Sequence, residues 1–170
     1  METLKVHSIS KGEIWQLLKE VKDPEVPVLD IAELGVLRDV SLDDDKILIT
    51  ITPTYSGCPA MNAIEQEIKL KLIENGIEDF LIKTIFSPAW TTDWMSEEAK
   101  QKLIDYGISP PTQTADQHLK SIIEGKSKPL ECPFCNSSDT KITSAFGSTA
   151  CKALHYCNNC HQPFEEFKCH

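Results

Sequence analysis

Two cysteine pairs, Cys132-Pro133-Phe134-Cys135 and Cys157-Asn158-Asn159-Cys160, constrain this chain more than any other feature. A C-x-x-C turn aims two sulfurs at one point. Two such turns on opposing hairpin tips complete a tetrahedral S4 site, which suits Zn(II). The pairs are 21 residues apart, slightly beyond the usual span of the pattern and still workable for a hairpin. A tail of about 40 residues buries too little surface to stand without a metal, disulfides or a partner. A structural Zn(II) contributes about 10–16 kcal/mol in such peptides, so the metal reads as a staple. Four cysteine ligands leave no open position for a water, which argues against hydrolysis there. Strands near 140–146, 152–156 and 164–168 would make a zinc ribbon, with Phe146, Phe164 and Phe167 as its small core. Tetrathiolate iron uses similar turns and stays open as a reading. Asn136 and His161 stand where such turns favour small residues. Cys151 and Cys169 read either as small buried residues or as a redox pair or cluster ligands. His155 and His161 flank the second pair, but four cysteines already complete a site.

The rest of the composition bounds the class. With 170 residues and 41% hydrophobic content, the chain can hold one domain plus a small module. There is no apolar run of membrane-spanning length, and the start Met-Glu-Thr-Leu-Lys-Val-His does not read as a secretory signal. Seven cysteines without an export signal suit a reducing cytoplasm, where C-x-x-C pairs are metal ligands more often than disulfides. Residues 1–127 hold 13 Lys and Arg against 22 Asp and Glu, which is the whole net charge of −9. The tail is neutral. A nucleic-acid module normally carries a basic footprint, and neither part does.

Along the N-terminal part, Ile14, Leu17, Leu18 and Val21 predict a helix over 13–21, ended by Asp23-Pro24. A hairpin follows, with strands at 36–42 and 46–52 and a turn at 43–45. A helix over 59–74 and a strand over 80–86 complete a strand–helix–strand crossover, which is expected to be parallel. Ser96 is placed to cap a helix running to about 106. The loops 53–58 and 87–95 then leave the same edge of one sheet, the edge where sites form in open α/β sheets. The expected fold is α+β. A small mixed sheet with flanking helices (1–108) is joined by a linker (109–130) to a zinc-ribbon β module (131–170).

Cys58, in Thr52-Pro-Thr-Tyr-Ser-Gly-Cys-Pro-Ala-Met61, is the last residue before the second helix. The partial positive charge there favours an anion, so the thiol reads as nucleophilic and metal-competent. An inert packed cysteine is the competing reading. The opposing loop Ser87-Pro-Ala-Trp-Thr-Thr-Asp-Trp-Met95 brings two tryptophans and an aspartate. Asp93 reads as a metal ligand, an orienting group or a helix cap, and Trp90 and Trp94 as packing. Of the acids in the Pro-rich segment, Glu25 or Asp30 is placed to approach the same site. No histidine has a partner near Cys58, so a Cys–His hydrolase is poorly supported.

These motifs, with Asp23-Pro-Glu-Val-Pro-Val28 and Ile31-Ala-Glu-Leu-Gly35, resemble the iron–sulfur assembly domain family. That family includes SufT-like proteins and the eukaryotic cytosolic assembly factors. The tail segments Phe146-Gly-Ser-Thr-Ala-Cys-Lys152 and Pro163-Phe-Glu-Glu-Phe-Lys-Cys169 narrow the resemblance. Over nearly the whole chain it is similar to the PaaD (PaaJ) family of phenylacetate degradation. That resemblance implies a non-catalytic accessory subunit of the multicomponent phenylacetyl-CoA epoxidase, helping to assemble iron or Fe–S centres. It implies that Cys58 is the reactive thiol and that Cys132, Cys135, Cys157 and Cys160 hold a structural zinc. Its implied partners are the di-iron oxygenase and the flavin and [2Fe–2S] reductase, and a second copy of the chain is a further candidate. A rubredoxin-like electron carrier and a nucleic-acid-binding ribbon are the alternatives. No Glu-x-x-His pair on a helix offers a di-iron site in this chain itself.

Overall fold

The computed structural model describes residues 9–43, 46–112, 114, 117, 120, 123 and 130–168. Residues 44 and 45 of the turn expected at 43–45, most of 118–124, where the sequence suggests a short helix within the linker, and Cys169 lie outside the described residues. The chain divides into two compact units, residues 1–90 and 91–170.

The first unit opens with helix α1, Lys11–Leu18. Ser10 caps it through a reciprocal box. Its Oγ accepts from the Glu13 N–H (3.2 Å), and its own N–H donates to the Glu13 carboxylate (2.8 Å). The helix starts and ends earlier than the apolar spacing predicts. Val21 is still buried, but its carbonyl accepts from the Ile31 N–H in an irregular turn instead of continuing the helix. Strands β1 (Leu37–Asp43) and β2 (Lys46–Ile51) pair antiparallel, with an irregularity between Leu37 and Asp39. Helix α2 (Ala60–Glu74) leads to β3 (Phe80–Thr84), which pairs parallel with β2. The sheet order is β1-β2-β3.

Alternation makes the core. Ile47, Ile49 and Ile51 of β2 are fully buried, as are Ile68 and Leu72 of α2 and Ile14 and Leu18 of α1. Each such side chain contributes about 1.5–3 kcal/mol by leaving water. Because β2 and β3 are parallel, the segments after Ile51 and after Thr84 leave one end of the sheet. The Thr52 hydroxyl ties these exits together by donating to the Ile85 carbonyl at 2.7 Å.

The second unit holds a 3-10 turn (Thr92–Trp94), helix α3 (Glu97–Asp105) and strands β4 (Ile108–Ser109), β5 (Thr140–Ser144), β6 (Lys152–Cys157) and β7 (Pro163–Phe167). Ser96 caps α3 as its sequence predicts, accepting from the Ala99 N–H at 3.0 Å. The sheet order is β4-β7-β6-β5, with β4 parallel to β7 and the other pairs antiparallel. The sequence draws a domain boundary at 108, whereas here α3 shares a unit with the ribbon. The reason lies in Gly107, whose φ of +87° reverses the chain and lays Ile108 and Ser109 beside Glu165 and Glu166 of β7.

The ribbon core differs from expectation in one residue. Phe164 and Phe167 are buried, but Phe146 is 67% exposed, with the Lys168 ammonium 4.7 Å from its ring centroid. The chain leaves β5 at Ser144, before the alternation reaches Phe146. Cys151 is buried, and its sulfur is 3.0 Å from the Thr149 hydroxyl, which agrees with the reading of a small packed residue.

Candidate metal centre and thiol loop

Both C-x-x-C turns are built alike. Asn136 N–H donates to the Cys132 carbonyl (2.9 Å) and His161 N–H to the Cys157 carbonyl (3.0 Å). Each turn then needs a left-handed residue, and Asn136 (φ 58°) and His161 (φ 60°) supply it without glycine. Asparagine tolerates that region through its short polar side chain. His161 is held by its ring, whose Nδ1 lies 3.2 Å from the Tyr156 hydroxyl.

The four sulfurs lie within 4.8 Å of one another. Cys132–Cys160 and Cys135–Cys157 are each separated by 3.6 Å. A tetrahedral site with metal–sulfur bonds of about 2.3 Å has sulfurs about 3.8 Å apart, so the donor set fits a tetrathiolate metal. Cys132 and Cys157 are fully buried, while Cys135 and Cys160 reach the surface in part. Burial pushes the Cys132 thiol up, and burial together with the other sulfurs pushes Cys160 up to about 12. The Asn159 amide donates to the Cys135 sulfur at 3.6 Å and draws that thiol down to about 6. Four thiolates this close need a cation to coexist, so metal binding must expel protons. Sequence reasoning passes over Asn159. An amide between the two cysteines of a C-x-x-C turn is the signal that marks it.

The histidines are engaged elsewhere. His155 Nε2 lies 2.8 Å from the Glu166 carboxylate, and its ring stacks on Phe164. Among the described residues, the four-cysteine group is the one cluster of three or more potential ligands.

Cys58 lies in the first unit, in the loop between β2 and α2. Gly57 turns the chain with φ +80°, and nothing stands within 4 Å of where its Cβ would be. Ser56, Gly57 and Pro59 are exposed, and the Cys58 side chain is half-buried. The helix begins one residue later than its sequence predicts, with Pro59 at the cap and no side chain bonding the first N–H groups. Cys58 N–H donates to the Tyr55 carbonyl (3.2 Å), and its carbonyl accepts from Met61 (3.3 Å). Its sulfur makes no hydrogen bond among the described residues.

The acids have varied roles. Asp23 and Asp30 serve the backbone. Asp23 accepts from the Glu25 and Val26 N–H groups, both at 2.8 Å, and Asp30 accepts from Ala32 and Glu33. Burial pushes the Asp30 carboxyl up, against the pull of these bonds and of Lys22. Glu25 is half-buried in the first unit, and no metal-ligand cluster joins it to Cys58 among the described residues. Asp93 is exposed in the second unit, with its N–H on the Thr91 hydroxyl (3.3 Å). It does not cap α3, since Ser96 does. Trp90 is buried, and its Nε1–H donates to the Leu34 carbonyl at 3.0 Å, a packing role.

Comparison with known proteins agrees with this two-part construction. Residues 11–75 match the iron–sulfur cluster assembly protein model, and residues 116–168 match the PaaD zinc beta ribbon domain. The chain is 44% identical over 158 residues, covering 92% of each chain, to an Escherichia coli protein provisionally described as a 1,2-phenylacetyl-CoA epoxidase component. The chain belongs to the PaaD family. Its first part is also 39% identical to the Fe-S protein maturation auxiliary factor YitW of Bacillus subtilis, over 53% of this chain and 89% of that one. A crystal structure of a DUF59 domain from Bacillus anthracis superposes with a TM-score of 0.51 at 31% identity, covering 55% of this chain and 90% of that one. No helix among the described residues is long and apolar enough to cross a membrane.

Proposed function

We propose that this protein is an accessory factor of a phenylacetyl-CoA epoxidase system, which delivers iron or an Fe–S unit to the oxygenase or its reductase through Cys58. The observation that carries the reading is the Cys58 sulfur. It is half-buried, it has no hydrogen-bond partner among the described residues, and it lies beside a helix start that no side chain caps. Such a sulfur can lose its proton to solvent, coordinate the incoming ion, and release it when the client's ligands displace it. No oxidant or reductant is required for that exchange. Glu25 and Asp93 are the acids proposed to assist. The tetracysteine site takes zinc in this reading and shapes the ribbon, and the protein works in the reducing cytoplasm.

The test is complementation. Cells lacking this protein receive either the wild type or Cys58→Ser, and the oxygenase is isolated for iron content and epoxidation rate. Wild type restores both, while Cys58→Ser loses most of each and keeps the zinc content of the accessory protein. Equal maturation by the two forms disproves the carrier role.

A further inference from the structure

Strand β3 lies at the edge of its sheet, and its outward face is unusual. Asp79, Leu81 and Lys83 are all exposed, Leu81 by 58%. Leu48 of β2, in register with Leu81, is half-exposed beside it. An uncovered leucine pair on an open edge invites another strand. The backbone favours the same outcome. In a ladder, alternate residues direct their N–H and C=O groups to opposite edges. Ile47 N–H donates to the Asp79 carbonyl and Ile85 N–H to the Ile51 carbonyl. Odd-numbered residues of β3 therefore bond β2, while Phe80, Ile82 and Thr84 turn their groups outward, where the sheet has no fourth strand among the described residues.

Charge says what fits there. Glu78 and Asp79 make the start of β3 acidic, and Lys83 makes its end basic. Neither Asp79 nor Lys83 has an ion-pair partner among the described residues. Charged edge residues commonly keep strands apart. Two copies of this strand laid antiparallel do the reverse, because each acidic start meets a basic end. We propose that β3 is a self-association edge, pairing antiparallel with β3 of a second copy about a two-fold axis through Leu81. In that register Phe80 and Ile82 exchange hydrogen bonds across the axis, using the groups that face outward. Leu81 meets Leu81 of the other copy as a non-hydrogen-bonded pair, where side chains approach most closely, with Cα atoms about 4.5 Å apart. Lys83 lies opposite Asp79 of the other copy, twice by symmetry. The two three-stranded sheets become one of six.

The experiment is sedimentation equilibrium of the full zinc-loaded chain, with far-ultraviolet circular dichroism to verify each fold. Wild type is expected to be a dimer at concentrations on the order of 100 µM, the low-affinity range in which a single strand pair associates. Lys83→Glu makes both charged pairs repulsive and raises the dimer dissociation constant by about tenfold. Leu81→Lys, which places two ammonium groups on the axis, gives a monomer. The double variant Asp79→Lys/Lys83→Glu restores opposite charges and returns to wild-type affinity. A monomeric wild type, or a double variant as weak as Lys83→Glu alone, overturns the proposal. Neither result bears on Cys58, so this edge and the carrier role stand or fall separately.

Discussion

Asn136 and His161 each occupy a backbone region that side chains with a branched Cβ cannot enter cheaply. Replacing Asn136 with valine is expected to cost about 1–2 kcal/mol and to speed metal loss to a chelator, whereas Asn136→Gly retains the metal as well as wild type. Thermal melts of the metal-loaded forms, with a chromogenic chelator assay, would measure both. Asp30 offers a test of opposite character. Its folded-state carboxyl is raised by burial, so the stability it provides is complete below its ordinary value of 3.8 and declines as pH rises through the folded value. Asp30→Asn keeps an oxygen for the Ala32 and Glu33 N–H groups. It should match or exceed wild type in urea melts at pH 7, and lose that relative advantage toward pH 4. The sequence marks Asp30 as a loop acid near a site. It does not show that the two backbone donors lie within reach, because an acid that ties down a turn and an acid that binds a metal look alike in one dimension.

At the level of elements, one carboxylate ties the loop between β5 and β6 to β7. Glu165 of β7 accepts from the Ser148 N–H (2.8 Å) and pairs with Lys152 of β6 (2.9 Å), whose side chain is only 5% exposed. Burial pushes Glu165 up, but the Ser148 and Lys152 contacts outweigh it and hold the carboxyl below its usual range. Glu165→Ala removes the carboxylate that faces the buried Lys152 ammonium and should cost about 2–4 kcal/mol, less than a deeply buried pair because Glu165 keeps some contact with water. Lys152→Met/Glu165→Leu should recover most of that loss in the same denaturation assay. This pair is illegible in the sequence because it depends on the β6–β7 register. Phe146 falls outside the core for a related reason: alternation extended from β5 overruns the strand by two residues. Strand β4, with two residues, is too short to leave any periodic signal. The cap at Ser96 and the stripe Ile64, Ile68 and Leu72 are legible, since both are local patterns.

For the molecule as a whole, the four-cysteine centre is readable because each C-x-x-C turn is local and one shared ion determines how the turns must meet. The thiol loop is readable in position, since a parallel crossover sends both exits to one end of the sheet, but the surroundings of Cys58 are not. Stripping the metal with a chelator is expected to remove amide-exchange protection across 130–168 and to leave 11–84 protected, as read by hydrogen exchange with mass spectrometry. Acid should produce the same split, because thiols such as Cys160 reclaim protons as the ion departs. The two-residue strand at Ile108 and Ser109 extends this dependence. It moors the far end of α3 to the last ribbon strand, so an emptied ribbon slackens the helix that follows Trp94. Indole fluorescence then becomes a gauge of whether the tail is loaded, and a cell short of that metal would possess a protein whose first unit is folded while its second has loosened.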